Sequence, residues 1–208
     1  MTMAGAGALQ MLRALTGRII RFGRDRRGVA AVEFAFIAPI MLILYFITIE
    51  AVQGIETSRQ VSRLGAMVAD LVGQQDTMSK EALTGIMQIG ETTMRPYNRS
   101  APTITVTAIK ISSDQKGAVP TVAWSGKLVN GLYAAGPAKN TTVTVPPELK
   151  IGDSFLIRVE SNLGYKPVIA WSDKENASGL TGIFNNIEMN EVYYARPRIR
   201  REISCTNC

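Results

Sequence analysis

The 208-residue sequence contains no histidine. This excludes Ser-His-Asp and Cys-His nucleophile systems and most mixed-ligand zinc sites. It has only two cysteines, Cys205 and Cys208, at the extreme C-terminus. Two thiolates do not make a four-ligand zinc site within one chain. Acidic residues are scarce in the first 28 positions, where Asp25 stands against Arg13, Arg18, Arg21, Arg24, Arg26 and Arg27. The remainder carries 17 basic and 16 acidic residues, so the formal charge of +6 belongs to the N-terminus. A basic domain for nucleic acid is therefore not expected. Neither are a catalytic residue, a metal site or a cofactor.

What is present is one long apolar run. Residues 1–28 read as a basic cytoplasmic leader. Leu12, Leu15, Ile19 and Phe22 recur at helical spacing with arginines off the stripe, which suits an amphipathic helix on an anionic membrane. Gly17 and the small residues favour a disordered tail instead, and both readings stand. Arg24, Arg26 and Arg27 lead to Gly28, and an uncharged stretch runs from Phe34 to Ile49. A helix over residues 29–49 spans about 31 Å at about 1.5 Å per residue, matching a hydrocarbon core of about 30 Å. Arginines precede it and Glu50 and Glu56 follow, so the N-terminus is expected in the cytoplasm and residues 51–208 across the membrane.

The run is long for a cleaved secretory signal and has no convincing small-x-small site after it. Arg26-Arg27 alone is a thin basis for a twin-arginine signal. Glu33 fits neither reading. A carboxylate at the centre of a membrane helix costs on the order of 2.5–3.5 kcal/mol. Glu33 lies about one turn in from the cytoplasmic end, where an interfacial carboxylate is the plain alternative. Pro39 removes one backbone hydrogen bond and predicts either a kink or a tolerated membrane proline.

The order basic cluster, Gly28, Val29, then Glu33-Phe34 and a long apolar helix resembles a type IV prepilin processing site. The fuller run from Arg26-Arg27 through Pro39 resembles the TadE/TadG-like pseudopilins of the tight-adherence (Tad, type IVc-like) pilus system. That resemblance implies cleavage by a prepilin peptidase between Gly28 and Val29, leaving Glu33 as the fifth residue. The carboxylate would then lie about one helical turn from a new α-amino group. In low dielectric, pairing within or between subunits would be worth far more than a surface pair. In pilin-like proteins such pairing sets subunit register. The resemblance further implies a structural, non-enzymatic pilus-assembly component, single-pass in a bacterial inner membrane with a periplasmic C-terminal domain. Its partners would be the peptidase, the assembly platform, other pseudopilins and the Flp pilin, and pilus association is an extension of the same reading. Asp70-Leu-Val-Gly-Gln, Pro96-Tyr97, Trp124-Ser125, Pro197-Arg198 and the terminal Cys-x-x-Cys also resemble landmarks of these proteins.

Beyond the membrane, Val61, Leu64, Val68 and Leu71 continue at helical spacing, which predicts one helix over 29–72 of about 66 Å. It would form a membrane segment and periplasmic stalk, its stripe facing the chain's own domain or a partner helix. Residues 73–208 are expected to form a periplasmic α+β domain. A second helix is predicted over Ser79–Met94, capped at Thr77 or Ser79, with Leu83, Ile86 and Ile89 or Gly90 inward. From residue 102 the period becomes two. Thr103–Ala108 and Phe155–Leu163 alternate cleanly, the latter with Phe155, Ile157, Val159 and Leu163 on one face. Weaker strands are expected over Val119–Trp124, Thr141–Val145, Val168–Trp171 and Glu191–Ile203. Asp114-Gln-Lys-Gly, Gly131…Gly136-Pro137, Pro146-Pro147 and Ile151-Gly-Asp are turn material. The fold class is therefore α+β: a long N-terminal helix, then an antiparallel sheet with a helix packed on it.

Cys205-Thr-Asn-Cys208 has redox-motif spacing, but nothing follows it to form the helix that lowers a thiol pKa. In an oxidising compartment a local disulfide clipping the tail is expected, with mixed disulfides or redox exchange as the alternative. Asp114, Asp153 and Asp173 sit in turn contexts and read as solvated caps rather than calcium ligands. Trp124, Trp171, Tyr193 and Tyr194 read as core or sheet-face residues, or as subunit contacts. The Arg196–Arg201 run reads as a solvated strand edge, and Pro197 suits an edge. Two alternatives to a processed pseudopilin remain. One is an uncleaved membrane scaffold of the same machine. The other is a membrane-tethered thiol oxidoreductase using Cys205 and Cys208.

Overall fold

The computed structural model describes residues 28–114, 117–168 and 187–208. The leader, Arg26 and Arg27, Trp171, Asp173 and most of the expected strand over 168–171 lie outside the described residues, as does the side chain of Asp114. The chain divides into two compact units, Met1–Ile49 and Glu50–Cys208. The division falls within the first helix.

Helix α1, Val29–Gly73, includes Pro39. Within the second unit its inward stripe is Thr57, Val61, Leu64, Val68 and Val72, all buried. Leu71, expected on that stripe, is only half-buried beside it. Strand β1, Thr77–Met78, leads to helix α2, Lys80–Thr92, capped by Ser79, whose side chain accepts from the Ala82 amide at 3.2 Å. This satisfies one of the orphan N–H groups of a helix start. Leu83, Ile86, Met87 and Gly90 face inward, while Ile89 is exposed. Gly90 is required by a close approach: a Cβ there would lie 2.5 Å from Val68 Cγ2 of α1.

The sheet comprises β2 (Thr103–Asp114), β3 (Gly117–Val129), β4 (Leu132–Ala134), β5 (Ser154–Tyr165) and β6 (Ile187–Ala195). Their order is β4-β3-β2-β5-β6, and every pair is antiparallel. The β3–β4 hairpin turns on Asn130 and Gly131, with φ of 50° and 74°. Positive φ at both positions is the demand of a type I′ turn, which Asn-Gly meets. Gly131 is turn material in the sequence, whereas the short strand β4 is not evident there.

Ile104, Val106 and Ala108 of β2 and Phe155, Ile157, Val159 and Leu163 of β5 share one core with the α1 stripe and α2. This is the face expected for β5. A bulge in β3 lies opposite the Ala108/Ile109 step, where Trp124 pairs with Ala108 but Val122 with Ile109. The extra residue, Ala123, puts Val122 and Trp124 on opposite faces despite their even spacing. A second, smaller core on the other face contains Ile109, Ile111, Val145 and Leu156.

That back face explains why Thr141–Val145 is not a strand. Only Thr142 bridges β3, at Thr121. Val145 is instead buried in the back core, with Val143 packed beside it, and Pro146 and Pro147 lack the N–H groups a ladder needs. The expected strand over Glu191–Ile203 is likewise corrected. It starts at Ile187 and stops at Ala195, before Pro197. The chain then rejoins the domain through β7, Ser204–Cys205, which pairs in parallel with β1.

Candidate functional site

The first unit offers an exposed apolar helix. Phe34 and Phe36 are 70% and 72% exposed, and Val29, Val32, Ile37, Ile40, Met41 and Leu42 are exposed too. A contiguous surface of this kind has no place in water. The helix is long and apolar enough to cross a membrane. Glu33 is exposed within it and, among the described residues, has no ion-pair partner. At Gly28 an added Cβ would meet nothing within 4 Å, so packing does not require glycine there.

The second unit begins with a buried carboxylate that the sequence pattern does not single out. Glu50 is only 4% exposed. Its carboxylate accepts a 2.6 Å hydrogen bond from the Tyr165 hydroxyl, and both its oxygens accept from the Val168 amide at 3.1 Å. Burying an unpaired carboxylate costs several kcal/mol, and charge-assisted hydrogen bonds offset that cost. Burial raises the Tyr165 pKa above its ordinary value, and the Glu50 hydrogen bond and charge add to the rise. Around this pair, Tyr97 stacks on Tyr165 with ring centroids 5.8 Å apart. The Arg99 guanidinium lies 4.6 Å over the Tyr97 ring and its Nε donates to the Lys166 carbonyl. The Tyr97 hydroxyl accepts from the Lys166 amide at 2.9 Å. Spacing holds a signal for Glu50: the inward series Val68, Leu64, Val61 and Thr57, carried two further turns back, ends on it.

The far end of α1 is fastened by the Arg196–Arg201 segment. The Arg198 amide donates to the Gly73 carbonyl at 2.9 Å, and its guanidinium pairs with Asp70. Arg200 lies 3.9 Å from Asp76. Two of the landmarks, Asp70 and Pro197-Arg198, thus meet in space.

Cys205 and Cys208 are joined in a disulfide. The loop they close does lie at a helix start, that of α2, which comes from a distant part of the chain. The Asn207 side chain accepts from the Lys80 amide at 2.7 Å, acting as a second cap, and donates to Glu81. Glu81 is held below the usual carboxylate range, first by its own backbone amide, then by Asn207 and Ser79. The Thr206 amide donates to the Met78 carbonyl, and the buried Trp124 Nε1 donates to the Ile203 carbonyl at 2.6 Å. Trp124 is thus a core residue, whereas Tyr193 is exposed and Tyr194 half-buried. Asp153, with φ of 56°, accepts from the Ser113 amide, as a turn aspartate does. Among the described residues no cluster of metal-ligating side chains occurs.

The family model described as TadE-like protein matches residues 28–69. This segment is TadE-like. The match begins at Gly28 and covers the exposed apolar helix, Glu50 and most of the packed stripe of α1. The TadE-like match and a helix long and apolar enough to cross a membrane support a membrane-associated component of the tight-adherence pilus system. The TadE-like family is a structural pilus family rather than an enzyme family. No curated protein and no solved structure matches the chain.

Proposed function

We propose that the chain is a minor pseudopilin-like structural component of tight-adherence pilus biogenesis. It crosses the inner membrane once, with its leader in the cytoplasm and residues 50–208 folded in the periplasm. A prepilin peptidase cuts between Gly28 and Val29. Glu33 then pairs with the new α-amino group of its own or a neighbouring chain and sets subunit register. Arg26, Arg27 and Phe34 frame the cut, and the machine's platform, pseudopilins and Flp pilin are its partners.

The observation that carries this reading is the TadE-like match, which opens on Gly28. Two others support it. Glycine at 28 is not demanded by packing, which leaves room for recognition by an enzyme. Glu33 has no ion-pair partner among the described residues, so its carboxylate is available to a new amine. The domain supplies structure: its terminal cysteines hold a helix cap, which favours a clip over a redox centre.

Deleting the chain in its own cell tests the role. Surface pili and surface attachment should be lost and should return on complementation. Unchanged piliation in the deletion strain would remove the chain from pilus biogenesis.

A further inference from the structure

The two margins of the sheet differ. Beyond β4, the chain itself covers the outer side of β3. The Val122 amide donates to the Thr141 carbonyl at 2.9 Å, and the Val143 amide to the Pro120 carbonyl at 3.1 Å. The other margin is β6. Among the described residues it pairs with β5 alone, and the ladder runs from Ile187 to Ala195 without a register shift. An edge strand presents a row of unpaired N–H and C=O groups, which proteins blunt with shortness, proline, lysine or a bulge. β6 is 9 residues long and has no proline, lysine or bulge.

The side chains of β6 define its complement. Val192 and Tyr193 stand on opposite faces of the sheet, 51% and 46% exposed. Glu188 and Glu191 are the charged residues of the strand, and neither has an ion-pair partner among the described residues. On β5, Arg158 and Glu160 pair with each other at 3.3 Å. Lys166 and Arg196 lie beyond the two ends of the β5–β6 ladder. The edge therefore has two acidic groups and no basic one along its length. A second copy is a poor match: β4 is 3 residues long and uncharged, and another β6 would bring two further carboxylates.

We propose that β6 is a docking edge for an extended segment of another protein, added as an antiparallel strand. Backbone hydrogen bonds hold the segment and side chains select it. Basic side chains of the partner face Glu188 and Glu191, and apolar ones face Val192 and Tyr193. Opposite charges directly across a strand pair stabilise it, and like charges do the reverse.

The test is an NMR titration of the isotope-labelled full-length protein, in dodecylphosphocholine micelles, with the end-capped peptide Thr-Val-Val-Lys-Thr-Thr-Lys-Thr. In antiparallel register its valines face Tyr193 and Val192, and its lysines face Glu191 and Glu188. Amide shifts should move along Ile187–Ala195 and not along Leu132–Ala134. Exchanging both peptide lysines for glutamate should weaken binding at least about ten-fold. The double change Glu188→Lys and Glu191→Lys should reverse that preference. The milder Glu188→Gln and Glu191→Gln should bind the two peptides alike, so the test survives if the lysine variant fails to fold. Unmoved β6 amides, or equal binding of both peptides by the wild type, would overturn the proposal. Self-association through β6 would assign the edge to a second copy and overturn it too. Slow exchange at every β6 amide of the free protein would mean that the chain covers its own edge, with the same consequence.

Discussion

The Tyr165 hydroxyl donates to the Glu50 carboxylate at 2.6 Å, joining the first residue of the folded unit to the end of a strand 115 positions later. A glutamate directly after an apolar run would ordinarily sit in water. Here it is buried, and a phenol and a backbone amide satisfy it. The bond orders the point where the chain passes from the apolar run into the domain.

Removing the phenol hydroxyl with Tyr165→Phe should cost about 1.5–3 kcal/mol, the range for a hydrogen bond to a charged group. Burial and Glu50 hold the phenol pKa above the value of about 10 for an unfolded chain. The contribution is therefore complete below about pH 10 and is lost as pH rises through the higher folded value. Thermal melts from pH 7 to 11 should show wild type and variant converging only in alkali. A gap that stays constant with pH would contradict this account.

Helical glycines give a paired prediction. Gly85→Ala meets open space and should stabilise by about 0.5–1 kcal/mol through helix propensity. Gly90→Ala gains the same propensity but drives a methyl to 2.5 Å from Val68 Cγ2, on a stiff β-branched side chain. Overpacking costs about 1–3 kcal/mol, so the net change should be a loss. Opposite signs in denaturant melts support the α1–α2 contact as described, and two gains would refute it.

The sequence shows this domain best where one period and one buried face coincide. Phe155, Ile157, Val159 and Leu163 alternate against a core, and Ser79 announces α2 by the chemistry of its cap. Glu50 is hidden because a carboxylate after an apolar run is the ordinary sign of a membrane edge. The partner that changes its meaning, Tyr165, is remote in sequence. Ala123 is silent as a bulge residue, since alternation looks intact through it until its pairing is known. Thr141–Val145 alternates like a strand but spends that pattern on the back core, and Asn207 becomes a helix cap only when the tail returns to Lys80. Gly28, Val29 and Glu33 are read from a motif resemblance rather than from packing; on the proposed reading their spacing would serve an enzyme and a new amine.

Changing both Cys205 and Cys208 to serine should cost at most about 2 kcal/mol, because the closed loop is very short. Amide exchange should rise at Lys80 and Thr206, where the tail holds α2 and β1. Piliation should persist in the double-serine strain. A loss of piliation without a loss of stability would argue for redox chemistry at this pair.

Asp70 and Arg198 are both substantially exposed, so their ion pair should count for little. A double-mutant cycle is expected to give a coupling of about 0.2–1 kcal/mol, shrinking as salt screens it. The Arg198 amide bond to the Gly73 carbonyl survives either side-chain change. A coupling well above that range and insensitive to salt would mean the pair is shielded from solvent.

The central claim is the cut after Gly28, and the N-terminus of the membrane-bound protein tests it most directly. Mass spectrometry of the protein from cells with the prepilin peptidase should find a chain beginning Val29-Ala30-Ala31-Val32-Glu33. Peptidase-deficient cells, or a Gly28 variant with a bulky side chain, should retain the leader. An intact leader in wild-type cells, unaffected by either change, would contradict the account and leave an uncleaved membrane scaffold.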